Sequence, residues 1–104
     1  IILLDDDCIP HFRDFVQAHL NELQNFDACR GIVQFPDGAR ANSWFSTANL
    51  GIRKSVIDKI GLFDPKFDGH YGHEDQDLGN RIKENDYNVT MDVELTRADN
   101  TIRY

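Results

Sequence analysis

The chain has 104 residues, a length that suits one compact domain and not two. It carries 18 Asp and Glu against 11 Lys and Arg, a net charge of −7. That balance denies it the basic face that nucleic acids and anionic membrane surfaces require. Hydrophobic content of 40%, with 11% aromatic residues, is enough for a core, and no apolar run approaches the ~20 residues of a membrane span.

Ile1–Leu4 is a continuous apolar run, as expected of a strand buried on both faces. It has no basic flank and stops at three acids, so it does not read as a signal peptide. A start at Ile1 rather than Met suggests a segment of something longer. From Pro10 to Phe26, the residues Phe12, Phe15, Val16, Leu20, Leu23 and Phe26 recur at three- and four-residue steps. This predicts an amphipathic helix with Pro10 in its first turn. Ala28–Phe35 predicts a strand closed by the turn Pro36-Asp37-Gly38. Ser43–Leu50, which holds Trp44, reads as extended or irregular. Ser55–Ile60 predicts a short helix stopped by Gly61, and Leu62–His73 a loop. Glu74–Asn85 predicts a helix with Leu78 and Ile82 inward, and Tyr87–Met91 a last strand, followed by a tail of weak periodicity. Alternating strands and helices give an α/β class with a mixed sheet and flanking helices, in a single domain over 1–104.

Chemistry concentrates in the acids, 14 of which are Asp and only 4 Glu. Asp5-Asp6-Asp7 follow the first strand, at the strand end where α/β folds place ligands. In an extended chain Asp5 and Asp7 share a face and Asp6 points away. Adjacent like charges raise one another's pKa, and a hard cation such as Mg²⁺ or Mn²⁺ relieves that cost. A solvated acidic turn is the plain alternative. Glu74 and Asp75 open a predicted helix, where acids are favourable by ~0.3–1 kcal/mol from the helix dipole alone. Cys8 and Cys29 are too few and too far apart for a zinc ribbon or a disulfide framework, and read as buried thiols in a reducing compartment. His70 and His73 with Asp68 and Glu74 follow no zinc spacing. Asp64–Gly69 fits a calcium loop poorly, because Lys66 stands where an oxygen ligand belongs.

Three segments carry a family resemblance. Ile1-Ile2-Leu3-Leu4-Asp5-Asp6-Asp7 resembles the hydrophobic strand and D-x-D motif of GT-A glycosyltransferases. Ala48-Asn49-Leu50-Gly51-Ile52-Arg53, followed by Ile60-Gly61-Leu62-Phe63-Asp64, resembles their N-x-x-x-R and G-x-F-D segment. Tyr71-Gly72-His73-Glu74-Asp75-Gln76-Asp77-Leu78-Gly79-Asn80-Arg81 resembles the G-G-E-D-x-D-L-x-x-R segment shared by family 2 enzymes and the carboxy-terminal galactosyltransferase domain. The three occur in the family's order over about residues 1–90.

The resemblance implies a metal-dependent, inverting transfer of a sugar from a nucleoside-diphosphate donor to a carbohydrate or other hydroxyl acceptor. It assigns Asp5 and Asp7 to the metal, Asp75 to the general base and Glu74 to orienting the acceptor. Asp6, Tyr71, Gly72, His73, Asn49, Arg53 and Trp44 are the expected substrate contacts. Trp44 with Phe45, Asn49 and Arg53 also fit structural posts: core packing, loop support and a surface ion pair. In relatives, His73's place is taken by a second Gly, and a His further downstream serves as a metal ligand; no His follows His73 here. The family's nucleotide-binding strands precede the D-x-D, so the chain corresponds to the carboxy-terminal, acceptor-side part of the fold. A module without catalysis, self-associating through the open edge at Ile1–Leu4, is the alternative. The expected location is the cytoplasm, or the cytoplasmic face of a membrane where a larger parent is anchored there.

The residues agree with this chemistry in their own right. A diphosphate meets an acidic protein favourably only through a cation, which also takes up charge on the leaving group. The acceptor hydroxyl must lose a proton as it attacks, so one carboxylate has to stand apart from the metal to receive it.

Overall fold

The alternating apolar patterns fold into five strands and three α-helices, seen in a computed structural model that describes residues 1–41, 45–67 and 73–101. In chain order these are β1 (Ile2–Leu4), β2 (Cys8–Pro10), α1 (Phe15–Glu22), β3 (Ala28–Gln34), β4 (Asn49–Ile52), α2 (Lys54–Ile60), α3 (Glu74–Glu84) and β5 (Val89–Asn100), with a 3₁₀ turn at Pro65–Phe67 between α2 and α3. No helix among the described residues is long and apolar enough to cross a membrane.

The strands form one mixed sheet in the order β1-β4-β3-β5-β2. β4 is antiparallel to β1 and β3, β5 is parallel to β3, and β2 is antiparallel to β5. β1, β3 and β5 therefore point the same way, and their carboxyl ends share one rim of the sheet. Helices flank both faces. Phe15 of α1 packs with Cys8, Val33 and Ala98 on one face. Val56 of α2 and Leu78 and Ile82 of α3 pack with Ala28, Phe45, Leu50 and Ile52 on the other. β1 contributes to both, Leu3 to the second cluster and Ile2 and Leu4 to the first.

Several expectations are refined by this packing. β1 has apolar contacts on both faces but is only half-buried, because it lies at the sheet's edge. Pro10 does not open α1; it ends β2, and an edge strand is where a residue lacking an N–H is tolerated. α1 is shorter than its stripe: Phe15 and Leu23 are buried, while Val16 and Leu20 are exposed. The stretch ending at Leu50 conceals the start of a fully buried strand, β4. The tail after Met91 is strand too. β5 runs on to Asn100, and its alternation is broken because its pairing with β3 slips on either side of Gly31 and Asp92 takes φ 56°.

α2 and α3 form where expected. Gly61 ends α2 at φ 77°. Past α3, Asp86 adopts φ 60°, its N–H bonds the Lys83 carbonyl at 3.1 Å, and the Tyr87 N–H bonds the Ile82 carbonyl at 3.2 Å. This is a Schellman closure, with Tyr87 and Ile82 in the same apolar cluster. Arg81 locks the two helices together. Its Nε donates to Asp77 Oδ2 at 3.0 Å, and its guanidinium also donates to the carbonyls of Ile60, Gly61 and Leu62 at the end of α2.

A buried polar network crosses the α1 face of the sheet. Asn49, 1% exposed, donates from Nδ2 to the carbonyls of Ile32 and Thr96. These carbonyls lie where the β3–β5 ladder slips. Its Oδ1 is then left to accept, so Nε2 of the fully buried His19, 2.7 Å away, must be the donor. Two glycines make room. A Cβ on Gly31 would stand 2.2 Å from Asn49 Nδ2, and one on Gly51 would stand 2.6 Å from His19 Nδ1.

Burial lowers the His19 pKa from its ordinary 6.5, against a smaller upward pull from Asn49. The unfolded chain therefore takes up this proton before the folded one does. The neutral ring's contribution to stability is whole above about pH 6.5 and is lost as the pH falls toward the folded-state value. Thermal unfolding followed by circular dichroism should show a midpoint that drops between pH 7 and 5, with the drop blunted in His19→Gln. A wild-type midpoint unchanged over that range would contradict the assignment.

Candidate functional site

The three acids leave β1 at the carboxyl rim. They form a turn closed by the Cys8 N–H to the Asp5 carbonyl, 3.0 Å. The Asp5 N–H is fixed on the Ala48 carbonyl at 3.0 Å, because Leu4 pairs with Asn49 in the β1–β4 ladder. One residue earlier, the Thr47 N–H donates to Asp75 Oδ2 at 3.1 Å. The short run Thr47–Ala48 thus ties the acidic turn to the first turn of α3, 70 residues apart in sequence, and does so through backbone donors and acceptors.

The electrostatics reflect this convergence. The Asp5 pKa is raised above its ordinary 3.8, first by partial burial and then by the charges of Asp7, Asp75 and Asp6. All three of those charges are negative. Asp6 is exposed in the turn. Asp7 is half-buried; its Oδ2 accepts from Asn100 Nδ2 at 3.1 Å, and its carbonyl accepts from both the Thr101 N–H at 2.8 Å and the Thr101 hydroxyl at 3.2 Å. The adjacent Cys8 thiol is buried and pushed up to about 12 by burial and by Asp7 and Asp5. Cys29, fully buried, is pushed up to about 12 by burial and Glu22. Burial and neighbouring carboxylates thus favour the protonated thiol at both positions.

α3 enters the site acid-first, with Glu74, Asp75 and Asp77 in its opening turn. Glu74 Oε2 is buried and has no hydrogen-bond partner among the described residues, which leaves a costly acceptor at the site's border. His73 precedes the helix at φ 72°, the left-handed conformation that glycine adopts most easily.

Two expected substrate contacts hold structural posts instead. Asn49 lies inside the sheet, with both ends of its amide engaged by protein. Arg53 turns away from the rim. It donates to the carbonyls of Leu23 at 2.7 Å and Gln24 at 3.0 Å, just past α1, with Asp27 3.8 Å away. Trp44, Tyr71 and Gly72 lie outside the described residues, as do Asp68 and His70. Sequence reasoning passed over the partners of these acids: the Thr47 N–H carries no side-chain signature, and Asn100 and Thr101 sit in a tail without clear periodicity.

No group of three or more His, Cys, Asp or Glu among the described residues is arranged to hold a metal ion. The donor set that fits one is smaller. Asp5 and Asp7 are two hard oxygen donors in one turn, and Mg²⁺ or Mn²⁺ is commonly held by one or two carboxylates together with substrate phosphates.

No protein-family model matches the chain, and no curated protein matches it.

Because partial burial, and after it three neighbouring carboxylates, disfavour the charge on Asp5, its folded-state pKa is raised, and its ionised form costs stability above about pH 3.8. Asp5→Asn should raise the metal-free thermal midpoint at pH 7 by about 1–3 °C, the scale of exposed like-charge contacts. The gain should vanish near pH 3. A variant melting below wild type at pH 7 would contradict this account of the rim.

Proposed function

We propose that the protein is the acceptor-side, catalytic part of a GT-A-type glycosyltransferase. It would use Mn²⁺ or Mg²⁺ to transfer a sugar, with inversion, from a nucleoside diphosphate to an acceptor hydroxyl. The observation that carries the reading is the short run Thr47–Ala48, which holds the acidic turn through the Asp5 N–H and Asp75 through its Oδ2 at one rim of the sheet. The ordered D-x-D and E-D-x-D motifs support it from the sequence.

In this reading Asp5 and Asp7 hold the cation, which when bound neutralises charge on the diphosphate leaving group. Asp75 accepts the proton. Its Oδ2 is held by the Thr47 N–H, so the carboxylate is oriented before the acceptor arrives. As the acceptor oxygen bonds to the anomeric carbon, its proton passes to Asp75, and the carbon–oxygen bond to the diphosphate breaks with its electron pair going to the leaving group. Glu74, in the first turn of α3 beside Asp75, orients the acceptor. His73, Asp6, Tyr71, Gly72 and Trp44 remain substrate contacts in this proposal.

Calorimetry with Mn²⁺ and a panel of uridine and guanosine diphosphate sugars, followed by a transfer assay in the full-length parent protein, tests it. Asp7→Asn should abolish Mn²⁺-dependent donor binding. Asp75→Asn should leave that binding intact and slow transfer by about 10²–10⁴-fold, the usual loss of a general base. Transfer at the wild-type rate in Asp75→Asn would overturn the assignment of the base.

A further inference from the structure

The last residue of β5 meets the third acid of the turn. Asn100 pairs with Cys8 across the β2–β5 ladder, and its Nδ2 donates to Asp7 Oδ2 at 3.1 Å, a contact between positions 93 residues apart. Next to it, Thr101 holds the Asp7 main chain twice, through its N–H at 2.8 Å and its hydroxyl at 3.2 Å. The end of β5 therefore sets the backbone of Asp7 and holds its Oδ2, while the Cys8 thiol donates to Oδ1 at 3.8 Å. Asp5, by contrast, is set by the residue just before β4, through the Ala48 carbonyl.

The chemical type of the contact matters. An Arg or Lys beside Asp7 would orient its carboxylate and also neutralise it, competing with any cation. A carboxamide orients the carboxylate and leaves its charge in place. A neutral donor on one oxygen, with the main chain anchored, is what pre-orients a carboxylate ligand for an ion that arrives later.

We propose that Asn100 is a positioning residue for Asp7: it fixes the carboxylate that receives the divalent cation and so sets the affinity of the rim for Mn²⁺. This rests on the reading of Asp5 and Asp7 as the metal-side acids.

The test is Mn²⁺ alone, titrated into the protein and read by the electron paramagnetic resonance signal of the free ion, with circular dichroism on every variant. Asn100→Ala should keep the wild-type spectrum and weaken Mn²⁺ binding by about 10-fold or more, the usual effect of removing a partner that orients a metal ligand. Asn100→Asp places a second carboxylate against Asp7. It should lower the metal-free melting temperature and yet bind Mn²⁺ at least as tightly as wild type, a divergence that a purely structural role would not produce. Wild-type affinity in a folded Asn100→Ala, or affinity lost in step with stability in Asn100→Asp, would overturn the proposal. A wild-type protein that binds no Mn²⁺ would remove this inference and the metal-side assignment together. Unchanged transfer in Asp75→Asn would remove only the assignment of the base.

Discussion

Asn49 is the point on which the rest of the molecule depends. Its side chain joins α1 through His19, β3 through the Ile32 carbonyl and β5 through the Thr96 carbonyl, and its backbone pairs with Leu4 of β1. An amide buried this completely is tolerable only because both of its ends are satisfied. Gly31 and Gly51 give it the clearance. The amide supplies donors where the parallel β3–β5 ladder slips, and so keeps a long strand attached across its irregularity. Breaking it would leave several buried groups without partners at once, which makes it a constraint on the sheet rather than a local bond.

The same residue explains why the acids converge. Ala48 and Thr47 immediately precede Asn49, so anchoring the start of β4 also anchors the carbonyl that holds Asp5 and the N–H that holds Asp75. Core packing on one face thus fixes the rim geometry, and α3, braced by Arg81 on the end of α2, brings Asp75 to it from the other face. The cost is electrostatic and falls on Asp5, whose ionisation is opposed by partial burial and then by the charges of Asp7, Asp75 and Asp6.

Much of this was readable in the sequence where local rules govern. α3 was visible in the spacing of Leu78 and Ile82 and in its acidic first turn, and α2 in the glycine that stops it. β3 and the acidic turn after β1 were equally plain. Where tertiary context decides, the pattern misled. Val16 and Leu20 continue an apolar stripe but face solvent, because α1 rests on the sheet through Phe15, Ala18 and His19. Pro10 looked like a helix start, and only its place at the sheet edge explains its position in β2. β5 lost its alternation to the register slip. Asn49 and Arg53 lie in a segment that resembles a functional one, yet they hold the sheet and the end of α1. Their polarity was legible, but their direction was not, since it depends on which strand lies beside them.

The proposal that Asp5 and Asp7 hold a cation is tested most directly at the Asp5 carboxyl. Carbon-13 NMR of the side-chain carboxyls, with Asp5 assigned by Asp5→Asn, should give a metal-free Asp5 pKa above the ordinary 3.8. Saturating Mg²⁺ should bring it below that value, as a bound cation favours the charged form. An Asp5 titration that is ordinary without metal and unmoved by Mg²⁺ would contradict the account.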